Sequence, residues 1–339
     1  MSTVAESKRK KVRLSRYERG NRWFGFALTL PAIVMLCVVI ALPILKGIYV
    51  SFFEYKLADL RKSEFNLDGE TLSQVISGEK DISALTNYTW NNFKNYQRLF
   101  KDGLNGPFFT YFFNTVIFVF FAVSIQTVLG MMIALLLNSR IRGRGLFRGL
   151  LLVPWTIPSV VVAIIWRLML HQEGGIMNYA LYVMGLTSTT RVAWSGTVVL
   201  ARAAIVIAAV WRQLPYMMVM LLAGLQSVDM SLQEAAQIDG ASGRQTFIHV
   251  TIPSIRPVLI SAVWIAIMSN FQMYTIIANL VGTGSKTGTN TLSIAAYQEA
   301  FTNSDFGKGA AIGVLWLVVL LIITIISNTL SARSATDYQ

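Results

Sequence analysis

The chain has 339 residues, of which 54% are apolar and only 14% charged, with a mean hydropathy of +0.54; a balance so far from the soluble average makes a bilayer the expected solvent. The formal net charge is +12, from 29 Lys and Arg against 17 Asp and Glu, which invites a nucleic-acid reading, but the basic cluster abuts an apolar run with no folded reader around it, which favours a topology signal against anionic membrane lipid. One cysteine (Cys37) and two histidines (His171, His249) provide no disulfide framework, no metal-ligand set and no nucleophile with its base, so the chain reads as a non-enzyme without metal or cofactor.

Bilayer-length apolar runs are predicted at residues 24–48, 110–137, 146–170, 198–225, 257–281 and 309–328, each roughly 20 residues or longer. The first exceeds the apolar core of a secretory signal and reads as an anchor. Pro31, Pro43, Pro154, Pro158 and Pro215 fall within these runs, where membrane helices tolerate proline. The expected fold is therefore all-α and integral to the membrane, with six transmembrane helices.

Orientation follows from Lys and Arg. The tail 1–23 holds Lys8, Arg9, Lys10, Lys11, Arg13, Arg16, Arg19 and Arg22, and the turn after the second run holds Arg140, Arg142, Arg144 and Arg148 without an acid. Both should be cytoplasmic. Residues 50–109 balance seven basic residues against eight acidic ones and can lie outside. Six spans then place both termini in the cytoplasm. The expected organisation is a basic tail (1–23), an N-terminal helix (24–48), an extracytoplasmic loop (49–109), a core (110–330) and a second tail (331–339).

Between the fourth and fifth runs, residues 234–257 interrupt the apolar pattern. Ser231 and Glu234 stand in the S-x-x-E relation of a reciprocal helix cap, and Gly240 can take the left-handed conformation that ends a helix. A second short helix is expected from about Ser242 until Pro253 and Pro257 stop it. The result is a short helix on the membrane surface, on the cytoplasmic side. Further along, residues 282–287 imitate the end of a nucleotide-binding loop, but Leu280 and Ser285 stand where that loop requires glycine. Any ATP must be bound by another polypeptide.

The segment 229–257 closely resembles the EAA loop of ABC importer permeases, whose pattern is filled by Glu234, Ala235, Ala236, Asp239, Gly240, Ala241, Phe247, Pro253 and Pro257. The likeness continues in Asn92-Phe-Lys-Asn-Tyr96, Asn114-Thr115, the turn from Leu152 to Pro158, Trp211-Arg-Gln-Leu-Pro-Tyr216 and Tyr297-Gln-Glu-Ala-Phe301, all similar to permeases of bacterial carbohydrate importers of the maltose and trehalose type. The resemblance implies a five-helix core preceded by an extra helix, a second homologous permease, a cytoplasmic ABC ATPase dimer contacted through the residues from Glu234 to Phe247, an extracytoplasmic solute-binding protein, and a place in the bacterial inner membrane.

Polar groups deep in a span favour a bundle interior or a water-filled path. The fourth run supplies Arg212, Gln213 and Tyr216 beside Pro215, and the fifth supplies Asn270, Gln272 and Tyr274, with Asn270 and Tyr274 expected on one helix face. Amides and phenols suit hydroxyl-rich solutes, and the resemblance puts the positions of Gln213, Tyr216, Asn270 and Gln272 in or near the substrate cavity. Bland readings stand beside this: Asn270 and Gln272 as interhelical hydrogen-bonders, Arg212 as a bracket for the Trp211 carbonyl, Arg202 and Arg167 as snorkelling cations, and Gly309/Gly313 as a helix-packing surface. A permease for glycerol phosphate or another small polar solute is the alternative within the class. An ion-coupled secondary transporter would need buried carboxylates, and the six runs contain no Asp or Glu.

Overall fold

The structure, a computed structural model, describes residues 16–56, 73–74, 76–77, 89–139, 141–282 and 288–336. Arg140, most of residues 57–88 and residues 283–287, which imitate the nucleotide-binding loop, lie outside the described residues. The chain divides into two compact units, residues 1–49 and 50–339.

The first unit is helical: α1 (Arg16–Leu36), a π-helical turn (Cys37–Ala41) and α2 (Leu42–Val50), whose last residue opens the second unit. The π turn sits just ahead of Pro43, which lacks the N–H that the ladder would need. Residues Phe26–Val50 form one helix long and apolar enough to cross a bilayer.

The second unit begins with a two-stranded antiparallel ribbon, β1 (Phe53–Glu54) on β2 (Thr89–Trp90), in the register Phe53↔Trp90 and Glu54↔Thr89. A short helix, α3 (Lys94–Phe100), locks it in place. The Asn95 amide donates to the carbonyls of Ser51 (2.9 Å) and Phe53 (3.0 Å), and the Tyr96 hydroxyl meets Ser51 Oγ at 2.7 Å. Burial pushes the Tyr96 phenol above its ordinary range, and the Ser51 bond partly offsets this.

Three long helices form the centre: α4 (Pro107–Asn138), then, past the bent pair α5 (Arg144–Thr156) and α6 (Ser159–Met169) and the short α7 (Ile176–Val183), α8 (Val198–Gln226), and later α11 (Ile252–Phe271). Between α8 and α11 stand the short α9 (Met230–Ile238) and α10 (Gly243–Thr246); after them come α12 (Thr275–Val281), α13 (Leu292–Tyr297) and α14 (Phe306–Thr336). In lipid, close backbone approach replaces the hydrophobic drive between helices, so small residues gather at contacts. Ala122, Ala134, Ala201, Ala204, Ala208 and Ala209 are all buried, and a Cβ on Gly130 would come within 2.7 Å of Met217 Cγ on α8. Gly309 likewise packs inside the subunit, since a Cβ there would meet Ala300 Cβ at 2.8 Å; at Gly313 nothing lies within 4 Å.

Among the described residues, five helices are long and apolar enough to span a membrane, or up to six if the α5–α6 pair counts as one. That pair, expected as a continuous span, bends by 96°. Pro158 is the reason: it forces Ile157 out of the helical region to φ −72°, ψ 132°. The fifth run departs in the other direction. Pro253 and Pro257 do not stop a helix; α10, a π-helical stretch (Phe247–Thr251) and α11 form one run from Gly243 to Phe271. The π stretch again precedes a proline, and Ser254 Oγ donates to the Val250 carbonyl at 2.7 Å. The run then ends at Phe271, well before residue 281.

Arg202 does not snorkel. Its Nη2 donates to Asn114 Oδ1 (2.6 Å) and to the Gly288 carbonyl (3.2 Å), while Asn114 Nδ2 donates to the Asn290 carbonyl (3.1 Å). Thr115 Oγ1 accepts from Leu292 N–H at 2.9 Å. Asn114, Thr115 and Arg202 thus clamp the start of the 288–292 segment onto α4 and α8.

Candidate functional site

Two features emerge, a half-open cavity and an exposed surface segment. The cavity, of about 430 Å³, lies where three irregularities meet: the 96° bend between α5 and α6, the Pro215 site in α8, and the break between α11 and α12. Trp155 and Ser159 reach it from the bend, Arg212, Gln213 and Tyr216 from α8, and Ser269, Gln272 and Tyr274 from the break. Backbone at membrane depth leaves helical geometry only where protein or a wet cavity satisfies it. Here the Ser293 hydroxyl donates to the Met273 carbonyl at 3.1 Å, and the Asn270 amide donates to the Ala266 carbonyl at 2.8 Å.

Of the four residues expected on a solute path, Gln213, Tyr216 and Gln272 line the cavity together. Asn270 does not. It is 1% exposed and pairs with Gln126 of α4, donating from Nδ2 to Gln126 Oε1 at 3.2 Å. Nor do Asn270 and Tyr274 share a helix face, because α11 ends between them and Tyr274 precedes a new helix. Arg212 faces the cavity with a buried Nε that has no hydrogen-bond partner, and no ion pair among the described residues includes it. Trp155 lies 6.0 Å from Tyr216 between ring centroids. Neither Trp155 nor Ser159 was singled out from the sequence as a path residue; the signal was the Pro158 bend, which brings both to the cavity. Arg167 and His171 line a second cavity of about 420 Å³ with Trp194 and Asn279.

The Asn270–Gln126 pair leads to a stability prediction. Asn270→Ala leaves the Gln126 amide buried without its partner, at a cost of roughly 1–3 kcal/mol. The measured result should be a lower melting temperature of the purified protein, with Gln126→Leu/Asn270→Leu recovering most of the loss.

The surface segment is α9 and its C-terminal turn. Asp229, not Ser231, caps α9: its carboxylate accepts from Ser231 N–H at 2.9 Å. That bond, from the Ser231 backbone first and its side chain second, holds the Asp229 carboxyl below its ordinary range; the cap is intact above the usual carboxylate range and is lost as pH falls through the depressed value. The reciprocal box occurs one helix later, where Ser242 N–H donates to Gln245 Oε1 (2.8 Å) and Gln245 N–H to Ser242 Oγ (3.4 Å). Gly240 has φ +82°, Ala241 N–H donates to the Ala236 carbonyl (2.9 Å), and Gly240 N–H to that of Gln237 (3.1 Å). This is a left-handed helix stop with both backbone bonds made. Glu234, Ala235, Asp239 and Gly240 are exposed, while Ala236, Ala241 and Phe247 are half-buried. Ile238 is 85% exposed and Met230 64%, so this segment presents an apolar face without a covering partner in the described residues.

Residues 126–336 match the family described as the binding-protein-dependent transport system inner membrane component. This chain belongs to that family. The permease is 33% identical over 302 residues to the trehalose/maltose transport system permease protein MalF of Thermococcus litoralis, covering 89% of this chain and 91% of the relative. It is 29% identical over 266 residues to the arabinooligosaccharides transport system permease protein AraP of Bacillus subtilis, covering 77% and 80%. Its fold is that of a bacterial ABC transporter involved in import of the acidic polysaccharide alginate, with a TM-score of 0.70 at 20% identity over 94% of this chain and 98% of that one. The permease is accordingly a multi-pass inner-membrane protein and a transport subunit.

Proposed function

We propose that this permease is the transmembrane subunit of an ATP-driven sugar import complex, forming half of the translocation pathway and coupling through α9 to an ATPase carried on separate polypeptides. The observation that carries this is the combination in one unit of a capped, exposed EAA helix with a half-open polar cavity lined by Gln213, Tyr216 and Gln272. Relatives named for trehalose/maltose and arabinooligosaccharide transport support a carbohydrate solute. The bent α5–α6 pair serves as one span, giving six, with both termini and α9 cytoplasmic and residues 49–109 outside. The 110–330 core then docks on an ABC ATPase dimer, pairs with a second homologous permease, and receives solute from an extracytoplasmic binding protein. Alternating access is a two-state switch biased from both faces.

An ion-coupled transporter would need an ionisable site in the spans. The five spans and the bent pair hold no Asp or Glu, and the one carboxylate buried among the described residues, Glu299, is tied to Lys308 at 2.6 Å. The test is reconstitution: the subunit alone should neither hydrolyse ATP nor pump, whereas the complex with ATPase, second permease and binding protein should do both. Sugar accumulation by the isolated subunit would sink the proposal.

Within the complex, Gln213→Ala, Tyr216→Ala and Gln272→Ala should each lower sugar uptake or alter the choice among sugars by about tenfold, the scale of one lost hydrogen bond. ATP hydrolysis stimulated by the binding protein should survive. Uptake and ATPase rates on matched amounts of complex check this, and unchanged uptake in all three variants would place the path elsewhere.

A further inference from the structure

Tyr274 is the innermost member of a row of rings that leaves the cavity. Its ring centroid lies 4.7 Å from that of Tyr297, which lies 4.9 Å from Phe301; Phe301 lies 5.9 Å from Phe306, and Phe306 5.5 Å from Tyr55, the residue after β1. The row therefore runs without a gap from the cavity to the ribbon end of the unit. Tyr297 and Phe301 are four residues apart, on one side of the helix that continues α13 through its π-helical stretch (Gln298–Thr302), and they are 42% and 64% exposed.

This face continues the wall of the cavity, since Tyr274 lines the cavity and packs on Tyr297. The Asn303 amide beside it is already engaged by Glu299 Oε2 at 3.0 Å, so the rings themselves are what this face offers. Exposed rings that run on from a cavity lined by amide and phenol groups suit a solute that is apolar on its ring faces and hydroxylated at its edges. We infer that Tyr274, Tyr297 and Phe301, with Phe306 and Tyr55 beyond them, form an aromatic lane on which pyranose or furanose rings slide from the ribbon end into the cavity. The inference rests on the sugar-import reading above.

The test uses the reconstituted complex with trehalose, maltose and an arabino-oligosaccharide as probes, measuring sugar accumulated per ATP hydrolysed. Tyr297→Leu and Phe301→Leu keep apolar bulk and remove the ring face. Each should lower sugar per ATP by about three- to tenfold, the scale of one lost ring contact, while Tyr297→Phe and Phe301→Tyr hold it at the wild-type value. A packing role, or a contact with the second permease, would instead lower the amount of intact complex on gel filtration and leave the ratio for the surviving complex unchanged; that result overturns the lane. So does wild-type coupling in both leucine variants. If the wild-type complex accumulates none of the three sugars, the sugar reading falls and the lane falls with it, so the two failures are told apart by the wild-type control.

Discussion

Replacing Glu299 with alanine is expected to cost about 3 kcal/mol of stability, the lower end for one partner of a buried ion pair. The Glu299 side chain is 10% exposed and Lys308 22%, and they meet at 2.6 Å. Asn303 Nδ2 adds a bond to the second carboxylate oxygen at 3.0 Å. Removing the acid strands the Lys308 ammonium at the start of α14 and frees the Asn303 amide, so two groups lose their partner at once. The cost should appear as a lower melting temperature and a lower yield of purified protein. Glu299→Gln/Lys308→Met removes both charges with little change in volume and should recover most of the loss, because a buried pair replaced as a whole is close to neutral. A double variant as unstable as the single would mean that the pair's geometry, rather than its charge balance, holds α13 and α14 together.

This pair lies in Tyr297-Gln-Glu-Ala-Phe301, which the sequence marks only by likeness; nothing in its pattern says that Glu299 is buried, because its partner Lys308 is nine positions on and across a turn. The spans were legible for the opposite reason. A run of apolar residues says the same thing whatever it packs against, so Pro107–Asn138 and Val198–Gln226 lie close to the runs expected for them. The break after Phe271 carries no Gly or Pro to announce it, and its freed carbonyl at Met273 is satisfied by Ser293, twenty residues away. The path residues were half legible. An amide inside a span is unusual whether it faces solute or a neighbouring helix, and only the backbone decides that Gln213 lines the cavity while Asn270 pairs with Gln126. At α9 the turn chemistry of Gly240 was readable, whereas the cap moved from Ser231 to Asp229 because two competent cap residues stand two positions apart.

Gly240→Val is expected to abolish most transport while the protein still inserts and assembles. With φ at +82°, Gly240 occupies a region where a β-branched residue is strained by roughly 1–2 kcal/mol. A Cβ built there meets nothing within 4 Å, so the penalty is one of backbone conformation alone, not of collision. The cheapest relief is to abandon the left-handed turn, which breaks the bonds from Ala241 to Ala236 and from Gly240 to Gln237 and re-aims α9 relative to α10. Because the proposed contact with the ATPase is made by α9, that rotation should sever stimulated ATP hydrolysis from solute movement without touching the distant cavity. Asparagine tolerates the left-handed region, so Gly240→Asn should keep a large share of transport at the same site. Measured as uptake per assembled complex, the expected order is wild type, then asparagine, then valine. Equal uptake in the valine variant at normal abundance would show that the turn does not set the docking angle, and the coupling role would have to be sought in the half-buried Ala236, Ala241 and Phe247 instead.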